Sequence, residues 1–262
     1  AALARALRSG GADVQVFDAR GRGHGASGNP AALVTPRLDA GLGPLAGLFA
    51  QALARAARLY EAIPGAVLDR GVMQLARQPK DADRFARIAA SDLFEASALA
   101  FADAEAVTKW TGEAPPGPGL AQQGALVVRP AAILEAWLGD IGGDEVAAIW
   151  PTEKGWSLVD AAGAALWRGD VVAVCAGPGA ISLVPGAPLQ PVRGQISIAP
   201  GLHVRAAAWG GYAASSPEGL VFGATHDRDD TDDEVRPLDH GRNLETLREG
   251  LPRLATEVDV SA

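Results

Sequence analysis

The chain has 262 residues, 48% of them hydrophobic, enough for roughly two domains of about 150 residues with sizeable cores. Its 31 acidic side chains outnumber the 23 basic ones for a net charge of −8, which excludes a broad cationic surface that would neutralise a long run of phosphates. The single cysteine, Cys175, excludes an internal disulfide framework and is the usage of a reducing compartment, so a cytoplasmic protein is expected. No apolar run approaches the roughly 20 residues that span a bilayer, and the start has neither the charged region nor the long apolar core of a signal peptide. No membrane partner is expected. The chain does not begin with Met, and its one methionine is Met73, so an internal portion of a longer protein is expected.

Ala1–Ser9 is built of strong helix formers and ends at Gly10-Gly11, a left-handed stop. Ala12–Asp18 (ADVQVFD) is a short apolar run ending on an acid and predicts a buried parallel strand, completing half of a βαβ unit. Ala19–Gly43 holds six glycines and two prolines without a sustained period, which predicts a long functional loop. Helix returns over Leu45–Ile63, with Phe49, Leu53, Ala57 and Tyr60 on one face. Val72–Leu75 reads as a strand, Asp81–Ser91 and Ala104–Thr111 as helices, and Pro115–Gly119 as a rigid connector. Gly124–Val128 is a strand, followed by a helix over Ala131–Leu138 with Pro130 at its first position, where a missing N–H costs nothing. Val146–Trp150, Gly155–Val159 and Ala164–Trp167 predict an antiparallel meander with turns at Glu153–Gly155 and Asp160–Gly163. Asp170–Ala176 (DVVAVCA) predicts a strand buried on both faces, with Cys175 as an inert core thiol. Val192–Ile198 and Leu220–Ala224 are further strands, and Asp239–Leu251 is a helix with Leu244, Leu247 and Leu251 on one stripe. No internal repeat occurs, which excludes solenoids and propellers.

Asp18, at the end of an apolar strand, occupies the place where an acid accepts hydrogen bonds from ribose hydroxyls in dinucleotide folds; a turn or cap role is the alternative. Gly21-Arg-Gly-His-Gly-Ala26 fits the pattern G-x-G-x-x-G/A, with Asp39 as the later acid, but Gly28, Pro30 and Pro36 forbid the helix that the fingerprint must open. The same loop runs on as Gly25-Ala26-Ser27-Gly28-Asn29-Pro30. Small residues there let backbone N–H groups approach a pyrophosphate or flavin, and Ser27 and Asn29 add neutral hydrogen-bonding groups. The acidic run Asp227–Glu234 lacks the glycine and the bidentate acid of a calcium loop, and His24, His203, His226 and His240 have no metal-ligand spacing, so no metal is expected.

The G-A-S-G-N segment after a strand-ending acid resembles the second flavin-binding loop of the D-amino-acid-oxidase superfamily. Later segments follow in that superfamily's order. Gly155-Trp156-Ser157-Leu158 is similar to its outer meander, Val171–Gly177 to the strand that returns beneath the flavin, and Val192-Arg193-Gly194-Gln195 to its R-G-Q crossover. Gly211-Tyr212, Gly223-Ala224-Thr225 with the acidic run, Asn243-Leu244 and Leu251-Pro252 resemble the tRNA-modifying branch more closely than the glycine-oxidase branch.

The resemblance implies an α/β fold: a Rossmann-like FAD-binding domain whose first strand and C-terminal segment lie outside this chain, and a second, mainly antiparallel α+β substrate domain. The expected division is discontinuous, with 1–64 and 129–186 in the FAD domain and 65–128 and 187–262 in the substrate domain. Without the first glycine turn, weak FAD binding by these 262 residues alone is expected. The resemblance further implies FAD as cofactor, held by Asp18, Ala26, Ser27, Gly28, Asn29, Ala31, Val146, Ala176 and Gly177. Tyr212 and Arg193 are the implied substrate contacts, with packing roles as the alternative for each.

The implied reaction is oxidation of a C–N bond next to a carboxylate, with the carboxymethylaminomethyl group of a tRNA wobble uridine as substrate and a fused or separate methyltransferase as partner. Two alternatives stay open at this point. A small-molecule amine oxidase acting on glycine, sarcosine or a D-amino acid accords better with the net charge of −8, and a catalytically inactive portion accords with the expected missing ends.

Overall fold

The computed structural model describes residues 1–38, 43–95, 97–115 and 117–258; Asp39 and Pro116 lie outside them. In chain order the helices are α1 (Ala2–Ser9), α2 (Pro44–Glu61), α3 (Lys80–Ala89), α4 (Ala104–Thr111), α5 (Pro130–Leu138), α6 (Ala180–Leu183), α7 (Pro237–Gly250) and α8 (Pro252–Glu257). The strands are β1 (Ala32–Val34), β2 (Val67–Leu75), β3 (Leu99–Ala102), β4 (Gly119–Val128), β5 (Ala148–Thr152), β6 (Gly155–Val159), β7 (Ala165–Gly169), β8 (Val192–Arg193), β9 (Ile196–Ala199), β10 (Ala207–Ala208), β11 (Tyr212–Ser216), β12 (Gly219–Gly223) and β13 (Asp227–Arg228). The fold is mixed α/β. The chain divides into two compact units. The first comprises Ala1–Gly28, Leu134–Arg193 and His226–Asp233, and the second Asn29–Ile133, Gly194–Thr225 and Glu234–Ala262. Residues 29–64, expected with the flavin-binding part, cluster with the second unit because β1 pairs with β4 and α2 packs on both strands.

Within the first unit, β5, β6 and β7 form the expected three-stranded antiparallel meander. Asp160 closes its second turn by accepting from the backbone of Ala162 and Ala164 at 2.9 and 2.8 Å, an Asx-type turn. Two expected strands are different. Residues 12–18 are extended but make only one isolated parallel bridge, Phe17 to Gly142, and residues 171–176 enter no ladder among the described residues. Val171 is consequently 75% exposed, and Cys175 is exposed rather than a core thiol. An apolar run becomes a buried strand only when strands or helices flank it, and none of the described residues does so here.

The second unit is organised by an eight-stranded sheet of order β1-β4-β2-β10-β11-β12-β9, with β3 also paired to β4. All pairings are antiparallel except β2 with β10. Side-chain alternation sends Ala206, Ala214 and Val221 to one face with Val72, Val127 and Ala31, and Ala207, Ala213, Leu220 and Phe222 to the other with Met73, Leu247 and Leu251. Helix α4 has the ends its sequence encodes. Asp103 accepts from Ala106 N at 2.8 Å, and Gly112 closes the helix at φ 76°. The expected strand Val192–Ile198 is broken at Gly194: β8 pairs with β13 in the first unit, whereas β9 joins the large sheet of the second.

Candidate functional site

In the first unit, Arg8 ties the end of α1 to its surroundings. Its guanidinium donates to the carbonyls of Trp137 and Leu138, at 3.2 and 2.7 Å, and to Val14 O at 2.9 Å. A cation on the orphan carbonyls ending α5 is favoured by both hydrogen bonding and the helix dipole. The extended segment 12–18 is thereby held beside the residues after α5, where Asp18 N donates to Gly142 O and Gly142 N donates to Val16 O.

Asp18 ends this segment exposed. Its Oδ1 accepts from Arg20 N at 3.1 Å, and its carbonyl accepts from Gly21 N, so the residue also turns the chain. The loop then folds back on itself. Arg22 donates to Gly139 O, Gly28 N donates to Gly25 O, and residues 26–28 form a single 3-10 turn. Gly28 has a steric reason: a Cβ there would lie 2.0 Å from the carbonyl oxygen of Gly23. Ala26 and Ser27 are exposed on this turn. Ala176 and Gly177, also exposed, lead into a second 3-10 turn, Gly177–Gly179, with Gly177 at φ 55°. Val146 is half-buried just before β5. Arg193 is buried in β8, where its backbone pairs with Asp227. An exposed carboxylate at the end of segment 12–18 and an exposed loop of small residues, Ala26, Ser27 and Gly28, fit the ribose and diphosphate of a flavin dinucleotide.

The remaining residues singled out above fall in the second unit. Asn29 is half-buried at its start, and Ala31 is fully buried in the core cluster of Val72, Val127 and Val221. Tyr212 opens β11, half-buried against the same cluster, and pairs with Ala208 and Gly223. Burial raises its phenol above the usual tyrosine range. A phenol is protonated at neutral pH in any case and can donate to an anionic ligand.

Beside Tyr212 lies a polar network that sequence reasoning missed. Gln195 N donates to Thr225 Oγ1 at 2.9 Å, and its side-chain amide exchanges hydrogen bonds with the backbone of Arg236, Nε2 to O at 3.0 Å and N to Oε1 at 2.9 Å. Asn243 is 1% exposed and donates to Gln195 O at 2.8 Å and to Ser197 Oγ at 3.1 Å. His240 Nδ1 lies 2.8 Å from Ser197 Oγ, and its Nε2 lies 3.4 Å from Gln195 Nε2. Since that amide nitrogen can only donate, the network assigns the proton to Nδ1. Asn243 also packs under Gly223, the cross-strand partner of Tyr212; a Cβ on Gly223 would lie 3.0 Å from Asn243 Oδ1. The available signal was the spacing of His240 and Asn243, i and i+3 on α7, which puts both on the face toward β9.

Comparison with known proteins agrees with this architecture. All of residues 1–262 match the family described as FAD dependent oxidoreductase. The chain is 51% identical over 258 residues to the tRNA 5-methylaminomethyl-2-thiouridine biosynthesis bifunctional protein MnmC of Caulobacter vibrioides, covering 98% of the chain and 43% of the relative. It is 47% identical over 260 residues to the protein of the same name from a further Caulobacter species, with the same coverage. The chain therefore spans less than half the length of these relatives. Among solved structures, glycine oxidase from Bacillus cereus superposes with a TM-score of 0.74 at 18% identity, over 98% of this chain and 78% of that one. Iminodiacetate oxidase from Chelativorans gives 0.74 at 19% identity, over 96% and 76%. At such identities the two structures share the fold. With the family matched from end to end and two relatives near half-identical, the chain belongs to the FAD dependent oxidoreductase family.

Proposed function

We propose that this chain is the oxidoreductase part of an enzyme that removes the carboxymethyl group from the carboxymethylaminomethyl side chain of a tRNA wobble uridine, releasing it as glyoxylate. The observation that carries the reading is the 51% and 47% identity, over 98% of the chain, to proteins named for tRNA 5-methylaminomethyl-2-thiouridine biosynthesis. Their greater length accommodates a methyltransferase as a further part of the same protein, and a tRNA enzyme belongs in the cytoplasm.

FAD, when bound, supplies the two-electron acceptor for oxidation of the carbon next to the secondary amine. In this reading Asp18 accepts from its ribose hydroxyls, and Ala26, Ser27, Gly28, Val146, Ala176 and Gly177, all in the first unit, form the remaining contacts. The second unit orients the substrate. Tyr212, protonated at neutral pH, donates to the substrate carboxylate. Asn243 and Gln195 are positioning residues that hold β9 and β12, and hence the partner of Tyr212, in register.

The test is anaerobic bleaching of the flavin absorbance in the full-length, flavin-loaded protein. tRNA carrying the carboxymethylaminomethyl group is expected to bleach it within one turnover, and glycine or sarcosine at millimolar concentration is not. Bleaching by the free amino acids with none by the tRNA would establish a small-molecule amine oxidase instead.

A further inference from the structure

The charge of the chain is unevenly shared. The first unit carries 14 Asp and Glu against 8 Lys and Arg, for −6, and the second 17 against 15, for −2. Four of the second unit's 15 basic side chains, Arg77, Lys80, Arg84 and Arg87, lie on α3 and the turn before it, together with Asp81 and Asp83. Lys80, Arg84 and Arg87 follow one another at i, i+4 and i+7, which places them on one face of the helix, while Phe85 and Ile88 bury the flank beside it. Arg77, in the preceding turn, lays its guanidinium over Gly210, where a Cβ would stand 2.3 Å from Nη1.

Arg77, Lys80 and Arg84 border a cavity of about 330 Å³ with Leu75, Phe85 and Trp209 among its lining and the amides of Gln74 and Gln78 in its wall. The acids nearby leave part of this charge unmatched. Asp81 is engaged by the backbone N–H groups of Arg77 and Gln78, at 2.9 and 3.0 Å, and lies 3.7 Å from Arg84. Arg77 is 3.4 Å from Glu249. Lys80 and Arg87 are exposed, and among the described residues neither is within ion-pair distance of an acid, although Lys80 acts on Asp81 through space and Asp83 lies one turn from each of them on α3.

We propose that this face of α3 binds the phosphodiester backbone of the tRNA, with the adjoining cavity receiving a ribose. Lys80 and Arg87 stand about 10 Å apart along the helix. That spread suits successive phosphates of one strand better than a single small anion. The cavity is lined mainly by polar side chains, Gln74, Arg77, Gln78, Lys80, Asp81 and Arg84, which suits a hydroxyl-bearing ribose. The proposal rests on the tRNA reading above, and its test separates the two.

The experiment measures binding of the modified tRNA to the full-length, flavin-loaded protein at several salt concentrations, for the parent and for the double variant Lys80→Gln/Arg87→Gln. The expected result is a Kd raised about tenfold at about 0.1 M salt and a log–log salt slope shallower by about two, one unit for each phosphate no longer neutralised. Oxidation of the isolated modified nucleoside is expected to be unchanged. Unchanged tRNA affinity and slope would overturn this surface and leave the tRNA reading standing. An equal loss in nucleoside oxidation would also overturn it, as a structural effect. A parent protein that oxidises the nucleoside but does not bind tRNA would overturn both.

Discussion

Tyr212 and Asp18 carry the chemistry of the account at the residue scale, and each admits a small, nearly isosteric change. Tyr212→Phe removes one hydroxyl from a half-buried position and is expected to lower kcat/KM at least tenfold, since a hydrogen bond to a charged group contributes about 1.5–3 kcal/mol. An effect confined to KM would mark the interaction as ground-state binding; unchanged kinetics would remove Tyr212 from the site. Asp18→Asn keeps the shape and the turn but weakens the acceptor, and about a tenfold loss of FAD affinity is expected in a flavin absorbance titration. Gly28→Ala drives a Cβ toward the carbonyl of Gly23, so the loop must shift at a cost of about 1–3 kcal/mol, to be read as a lower denaturant midpoint. The sequence marked Gly28 through its loop composition, but its tight approach to Gly23 depends on how the loop folds back, which no local pattern encodes.

At the element scale, legibility followed hydrophobic contrast. Helices α1, α2, α4, α5 and α7 and the meander were readable because apolar stripes, caps and Gly or Pro stops coincide in them. Strands β10 and β11 were not, since Ala207, Ala208 and Ala213–Ser216 are small and carry neither alternation nor β-branched side chains. Residues 12–18 and 171–176 erred the other way: their apolar runs encode strands, but a ladder needs partners that local sequence does not specify. The network around Asn243 was invisible for the same reason, because its members are up to 48 residues apart. Asn243→Ala leaves Gln195 O without its buried donor and is expected to cost about 1–3 kcal/mol in urea unfolding with an unchanged m value. A cost below about 0.5 kcal/mol would show the network to be dispensable.

Asp81 adds a pH signature at this scale. Burial alone would raise its carboxyl, but the N–H groups of Arg77 and Gln78, with Arg84 and Lys80, outweigh it and hold the group below the ordinary value of 3.8. A carboxyl depressed in the fold stabilises above its unfolded pKa and loses that contribution as pH falls through the folded value. Acidification below about pH 4 should therefore destabilise the parent more steeply than Asp81→Asn, and parallel acid curves would contradict this origin.

For the whole molecule, sequence reading set the family, the mixed α/β class and FAD, and the comparisons bear these out. The overall charge argued against an RNA substrate, but the acid excess falls mostly in the first unit, leaving the second nearly balanced, with Lys80, Arg84 and Arg87 on one face of α3. Net charge averages over surfaces that act separately. The proposed reaction of this FAD dependent oxidoreductase is on a nucleoside side chain within tRNA. Its most direct measurement is mass spectrometry of nucleosides from carboxymethylaminomethyl-containing tRNA after incubation with the full-length protein and without a methyl donor. Conversion of that nucleoside to its aminomethyl form, with glyoxylate released in equal amount, is expected; a tRNA recovered unchanged by a protein that oxidises glycine or sarcosine would overturn the proposed reaction.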